Sequence, residues 1–355
     1  MILLFHFARQ FSRHFVSFLT SSRTLLQTLS HPSAILDLHF IPNDPTFAVV
    51  SSTGTISIYS FQPTRQLSLL STHQAFDSAL LILSFTWHPD KSPQPLLAAT
   101  LSDGSVHLLQ FSSDFTRLDH LNDANPLNAH DLEAWTCALA ISERGRIRIY
   151  SGGDDGKLRL VELHLIPTIA DEEISTSQTL PVRAFKGHDA GVTAILPLPV
   201  SSSGDLGDIL LTGSYDDHVR VYTTYDDRPN APNTAGKALA ELKIGGGVWR
   251  LKFLDDYSPT TQGIEEDAGV RFRVLASCMH AGVRILDVRR TEGAGGEWSI
   301  EIVGSVTVHE SMNYGSDVQP ADGDMERIGD LERLCISTSF YDSLVCVWRF
   351  DPKAI

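Results

Sequence analysis

Cysteine is scarce in this chain and never clustered: Cys137, Cys278, Cys335 and Cys346 stand singly, with no C-x-x-C spacing. That excludes a disulfide framework and a cysteine zinc site, and lone thiols in strand-like surroundings read as buried side chains of a reducing, cytoplasmic compartment. Positive charge is also short, 28 Lys and Arg against 43 Asp and Glu, for a formal net charge of −15. A field of that sign repels phosphate backbones and anionic lipid, so neither nucleic acid nor membrane is expected as a partner. No apolar run reaches the ~18 residues of a spanning helix.

Catalytic signatures are missing too. The sequence holds no G-x-S-x-G, no phosphate-cradling G-x-x-x-x-G-K-[ST] and no G-x-G-x-x-G, and His309-Glu310 lacks the second histidine of a zinc helix. No cofactor is therefore called for, and no ligand spacing is diagnostic of a metal. Acid is absent from the N-terminus, where Asp37 is the first acidic residue and MILLFHFARQFSRHFVSFLT carries Arg9 and Arg13. That stretch resembles an organellar presequence; an amphipathic segment packed on the fold, or a misplaced start, is the preferred reading. The expected organisation is an extension over 1–22 and one domain over 23–355.

What the chain has is turns and a repeat. Hydrophobic residues make up 42%, with 25 Gly and 17 Pro, a globular balance rather than a disordered one. The segments SSTGTISIYSF, TLSDGSVHLLQF, SGGDDGKLRLVEL, TGSYDDHVRVYTT, SCMHAGVRILDV and TSFYDSLVCVWRF share one pattern of small residues, a polar turn and alternating apolar residues. Alternation after such a turn marks a strand leaving a hairpin. An apolar run precedes each hairpin, and five units open on a histidine: His31, His73, His130, His188 and His309. Polar loops are expected over 165–184, 225–238, 255–270 and 289–297.

These units resemble the WD repeat. The implied fold class is all-β, a WD-repeat β-propeller with six repeats in view and six or seven blades, the first truncated. The last unit ends without an outer strand. RTLLQTLS, from Arg23 to Ser30, either supplies it or is the outer strand of a seventh blade.

Aligned on the first apolar residue after each turn, the hairpins give a column of Thr53, Asp103, Asp155, Asp216, His280 and Asp342. Turn aspartates accept backbone N–H bonds, so most of this column is structural. His280 breaks it, in the same unit that lacks an opening histidine. An imidazole exchanges protons near neutrality, as a general base must. Trp135, Trp249, Tyr314, Phe340 and Tyr341 gather at the same entrances; they either pack between blades or line a cage for a cation such as a quaternary ammonium. Arg250 beside Trp249 suits a carboxylate or a polarised carbonyl.

SGGDDG, TGSYDDH, GGGVWR, CMHAG, HESMNYGSD and SFYDSLVCVW, in that order, resemble the diphthine methyl ester hydrolase family of diphthamide biosynthesis, once called a methyltransferase. The resemblance implies hydrolysis of the methyl ester of methylated diphthine, a trimethylammonium-bearing histidine on translation elongation factor 2. The residues expected to carry it are His280 as base, oriented by Asp216 or His188, with Arg250 or the N–H groups of Gly246 and Gly247 at the oxyanion. Trp249 and Tyr341 would hold the ammonium, with Trp135, Tyr314 and His309 completing the binding face. A monomer is expected. The competing reading is a non-catalytic WD scaffold that recognises a protein partner on the same face.

Overall fold

The computed structural model describes residues 2–5, 14–19, 24–90, 94–122, 125–142, 145–167, 174–178, 181–200, 208–224, 236–254, 269–293, 296–319 and 333–351. Every named element among them is a β-strand. Six antiparallel sheets follow the six sequence units, each ordered from an inner strand outward, and the all-β propeller class read from the repeats holds. The chain divides into two compact units, Leu3–Lys186 and Gly187–Ile355, the latter with Met1–Ile2.

The first unit contains blade I (Ile35–Phe40, Thr46–Ser51, Thr55–Phe61, Leu67–Gln74) and blade II (Ile82–Trp87, Leu96–Leu101, Ser105–Phe111, Leu118–His120). Blade III follows with Ala134–Ile141, Ile147–Gly153, Leu158–Pro167 and Ile174–Gln178. The second unit contains blade IV (Val192–Pro197, Ile209–Ser214, His218–Thr223, Lys237–Lys243) and blade V (Arg250–Phe253, Val270–Ser277, Val283–Arg290, Trp298–Val306). Blade VI has three strands among the described residues: Asn313–Val318, Arg333–Ser339 and Val345–Phe350.

Burial is higher than simple alternation implies. Ser105–Phe111 is buried at every position, as is Thr46–Ser51. The reason is that both faces are covered: one apolar cluster joins blades I and II through Val50 and Phe85, another joins II and III through Leu108 and Ile149, and on the other face of blade I Phe47 and Val49 belong to a further cluster with Leu29 packed against it. In the second unit Val221 and Phe272 join IV to V, and Ile285 and Cys335 join V to VI. A side chain such as Phe272 is worth about 1.5–3 kcal/mol on full burial. Outer strands such as Lys237–Lys243 alternate between partial and full exposure, as an edge does.

Two expectations change. Part of the loop expected over 165–184 is strand, because Leu158–Pro167 is long enough to pair with both Ile174–Gln178 and Arg183–Phe185. Of the alternatives for 23–30, Thr24–Ser30 pairs with His14–Leu19, in a three-stranded sheet with Ile2–Phe5, and the Gln27 side chain clasps the backbone of Leu67 at 2.7 and 3.1 Å.

Candidate functional site

Blades III, IV and VI hold the opening histidine at their turn ends with the same parts. In blade III the His130 Nδ1–H donates to Asp155 at 2.9 Å and Nε2 accepts from Ser151 at 2.9 Å. Burial holds this imidazole below its usual pKa against the pull of Asp155, so it is neutral and structural. In blade IV His188 Nε2 meets Thr212 at 2.9 Å, and in blade VI His309 meets Ser337 at 2.7 Å and Ser339 at 2.9 Å. A hydroxyl two places before the end of the second strand thus holds the opening histidine in blades III, IV and VI. His73 is different: it lies in the outer strand of blade I and bonds Phe115 O at 2.9 Å.

These contacts set what the expected catalytic residues can do. Burial, with Arg220 nearby, pushes His188 down to about 4, leaving it uncharged at neutral pH. Both ring nitrogens of His309 are committed to serines of its own blade, so it offers neither to a ligand. Asp216 is tied to the Asp189 and His218 N–H groups at 3.0 Å each and to Arg220 at 2.8 Å. Burial would raise its carboxyl, but these donors outweigh it and hold it below the usual range. No hydrogen bond or ion pair joins His280 to Asp216 or His188 among the described residues.

His280 is exposed in the hairpin turn of blade V and makes no hydrogen bond among the described residues. Its turn is closed by Cys278 N to Gly282 O at 2.8 Å and Ala281 N to Cys278 O at 2.8 Å. Met279 and Asn313 exchange backbone bonds of 3.2 and 2.9 Å, fixing the turn to the first strand of blade VI. The Gly245-Gly246-Gly247 run lies against this turn. A Cβ on Gly246 would stand 2.4 Å from Cys278 O and 2.8 Å from Ala281 Cβ; one on Gly247 would stand 2.8 Å from Met279 Sδ. Glycine is thus required for the close approach. The N–H groups of Gly246 and Gly247 donate to no described group. Cys278 is no nucleophile, since burial pushes its thiol up to about 12.

Five aromatic rings of the second unit form a row. Tyr215 and Trp249 are 5.8 Å apart, Trp249 and Tyr314 5.1 Å, Tyr314 and Phe340 6.0 Å, Phe340 and Tyr341 4.9 Å. The Arg250 guanidinium lies 6.0 Å from the Trp249 ring. Trp249, Arg250, Tyr314 and Tyr341 thus lie along one row. Trp135 stands in the other unit, its Nε1–H donating to Asp154 at 3.2 Å. Tyr215 was not singled out, because in TGSYDDH it reads as a turn residue. Its signal is positional: Tyr215 and Phe340 each follow the serine that ends a second strand, Ser214 and Ser339.

Bulges help present these rings. In blades I, II, III, IV and VI the inner strand slips by one residue at Leu36, Leu83, Trp135, Thr193 and Tyr314. An extra residue in a strand re-aims its side chain. Among the described residues no group of three or more His, Cys, Asp or Glu is arranged to hold a metal ion.

The family model of the WD domain, G-beta repeat, matches residues 23–60 and 179–223. The chain is similar to the diphthine methyltransferase of Schizosaccharomyces pombe, 32% identical over 321 residues that cover 90% of this chain and 79% of that one. It is similar to the diphthine methyltransferase homolog of Dictyostelium discoideum, 26% identical with 91% and 78% covered. The human diphthine methyltransferase is 27% identical over 80% of this chain, which spans 56% of that protein. Among solved structures, a chain in the crystal structure of the mitotic checkpoint complex matches with a TM-score of 0.57 at 13% identity, over 96% of this chain and 82% of that one. That likeness concerns the fold alone.

Proposed function

Because the chain belongs to the family of proteins named diphthine methyltransferases, we propose that it acts in diphthamide biosynthesis and that its reaction is hydrolysis of the methyl ester of methylated diphthine on translation elongation factor 2. Water adds to the ester carbonyl, the acyl C–O bond breaks, and the products are a carboxylic acid and methanol. The observation that carries this reading is the blade V turn. It exposes His280, whose imidazole bonds no described group, and packs against Gly246, where two successive N–H groups donate to nothing among the described residues. Such donors suit a developing oxyanion, and an exposed imidazole suits removal of a proton from the attacking water. Arg250, beside Trp249, is a second candidate for the oxyanion.

The roles expected for Asp216 and His188 change with their contacts: both act as supports of blade IV, and His280 works without a carboxylate partner from that blade. The test incubates the purified protein with elongation factor 2 bearing methylated diphthine and follows the modified peptide by mass. The expected result is loss of one ester methyl with release of methanol, slowed by His280→Ala roughly 10²-fold or more. A gain of a methyl group dependent on an added donor would replace hydrolysis with transfer. No change in mass at stoichiometric protein would leave the chain as a binding platform.

A further inference from the structure

We propose that blades V and VI hold a phosphate-binding site between them, anchored by the Arg273 guanidinium, at the end of blade V remote from the His280 turn. The site is independent of the hydrolase reading.

Strand register builds the place in layers. Leu275 and Ile285 stand opposite each other on one face of blade V and join Cys335 and Phe350 of blade VI in one apolar cluster. Because side chains alternate along a strand, the next pairs on that face are Arg273 opposite Asp287, then Arg271 opposite Arg289. On blade VI, Phe350 stands opposite Arg333. Backbone groups draw the two sides together: Leu254 donates its N–H to Arg273 O at 2.9 Å, and its carbonyl accepts from Arg333 Nη2 at 3.0 Å. The Arg273 guanidinium lies 5.8 Å from the centre of the Phe350 ring.

Charge is unbalanced there. Arg273 is only 8% exposed, yet its guanidinium makes no hydrogen bond or ion pair with any described residue. The expected counter-ion is Asp287, which stands directly opposite and is buried. Its carboxylate is already engaged: Arg271 Nε spans both oxygens at 2.7 and 2.8 Å, and Arg289 Nη2 bonds Oδ2. An arginine stays charged, and a buried charge with neither a counter-ion nor hydrogen bonds is costly. The Phe350 ring offsets part of that cost but supplies no acceptor.

An anion supplies what Arg273 lacks. Arg289 is half-exposed, bonds Asp287 through one nitrogen, and is the diagonal neighbour of Arg273 on the paired strand, a spacing that long side chains reach across. A ligand that meets both guanidinium groups from different directions needs more than the two coplanar oxygens of a carboxylate. The tetrahedral oxygens and higher charge of phosphate meet that need. Arg273 lies between two packed blades, so access is narrow and suits the free ion or a small monoester rather than a polyanion.

The experiment titrates the full chain with inorganic phosphate by calorimetry, with ionic strength held constant by sodium chloride. A single saturable site is expected, and acetate should bind at least roughly tenfold more weakly. Arg273→Met should weaken phosphate roughly tenfold or more, and Arg289→Gln, at the half-exposed rim, should weaken it several-fold. Arg273→Lys keeps the charge and loses the fork, so its affinity should fall between those of the native protein and Arg273→Met. Phosphate should raise the Tm of the native protein and leave that of Arg273→Met unchanged, which separates lost binding from lost folding. Glycerol 3-phosphate binding tighter than phosphate identifies a monoester as the ligand, and weaker binding identifies the free ion. The proposal is overturned by the lack of a saturable site, by acetate binding as tightly as phosphate, or by equal phosphate affinity in the native protein, Arg273→Met and Arg289→Gln. Turnover plays no part in these measurements, so their failure leaves the hydrolase reading untouched.

Discussion

Replacing Gly246 by alanine tests whether the glycine run is there to admit the blade V turn. The added Cβ would meet Cys278 O at 2.4 Å and Ala281 N at 3.2 Å, both backbone atoms. Neither can swing aside as a side chain can. The turn is held by three internal hydrogen bonds and by the Met279–Asn313 exchange, so relief requires moving it as a body. Overpacking of this kind costs about 1–3 kcal/mol. For a unit of this size that is a fall in Tm of about 3–10 °C. Gly247→Ala is the matched control: its nearest obstacle is the Met279 sulfur at 2.8 Å, the end of a flexible side chain, with Tyr215 next at 3.4 Å. It should cost less than about 1 kcal/mol, and Met279→Ala should remove most of that in a double-mutant cycle. Ala281→Gly should not rescue Gly246→Ala, because the shortest contact is to a carbonyl. Thermal melts of the native protein and these variants decide the matter. Equal losses for the two glycine variants, or rescue by Ala281→Gly, would refute the packing argument.

Stability should fall with acid below neutrality. Burial holds His107 and His188 down at about 4, with His120 and Arg220 respectively adding to the shift. The folded state therefore binds fewer protons than the unfolded one between about pH 4 and 6.5; the contribution is complete above 6.5 and is lost as pH falls toward 4, at up to roughly 1.4 kcal/mol per pH unit for each histidine. Urea midpoints at pH 7 and 5 should move further apart in the native protein than in His107→Asn. Equal spacing would show that His107 titrates normally. Asp216→Ala should destabilise by about 2–4 kcal/mol, since it leaves the buried Arg220 only the exposed Glu241 and strands two backbone donors. Asp342→Ala, exposed and holding no ion pair, should cost under about 1 kcal/mol, and an Asp342 effect as large as that of Asp216 would contradict this ranking.

The repeat was readable because its carrier is local: a polar turn followed by alternating apolar residues needs no knowledge of tertiary contacts. Strand partners beyond the hairpin were less so. Leu118–His120 and Asn128–Ala129 both pair with Ser105–Phe111, at different points along its length, and nothing in their short sequences announces it. His73 looked like the other opening histidines, yet it pairs in the outer strand of blade I; Ala99, not a hydroxyl, stands where Ser151, Thr212 and Ser337 receive His130, His188 and His309, while His31 meets Ser57 of the third strand. The turn column located His280, but its isolation from Asp216 follows from bonds that Asp216 makes to its own blade. Tyr215 escaped notice because a ring next to turn aspartates has no periodicity to betray it.

Blade V departs from the turn geometry that the other five blades share, and the departures converge on one place. In five blades the residue after the end of the second strand donates its N–H to the carbonyl before the inner-strand pair: Ser52 to Ala34, Ser102 to Leu81, Asp154 to Glu133, Tyr215 to Gly191 and Phe340 to Met312. In blade V that donor, Cys278, turns instead to Gly282. The left-handed residue after the turn column in the other blades (Gly54, Gly104, Gly156, Asp217 and Ser343) has no counterpart at Ala281, and positive φ falls at Met279 and Gly282. Leu275, fully buried, occupies the site of the histidine-binding hydroxyl, as Val49 and Ala99 do in blades I and II. What sets blade V apart is the turn itself: its closing bond runs to Gly282 instead of to the inner strand, and a glycine run packs against it. Coordinated loss of a structural device, with a titratable side chain exposed where the device stood, is what a functional site inserted into a repeat requires.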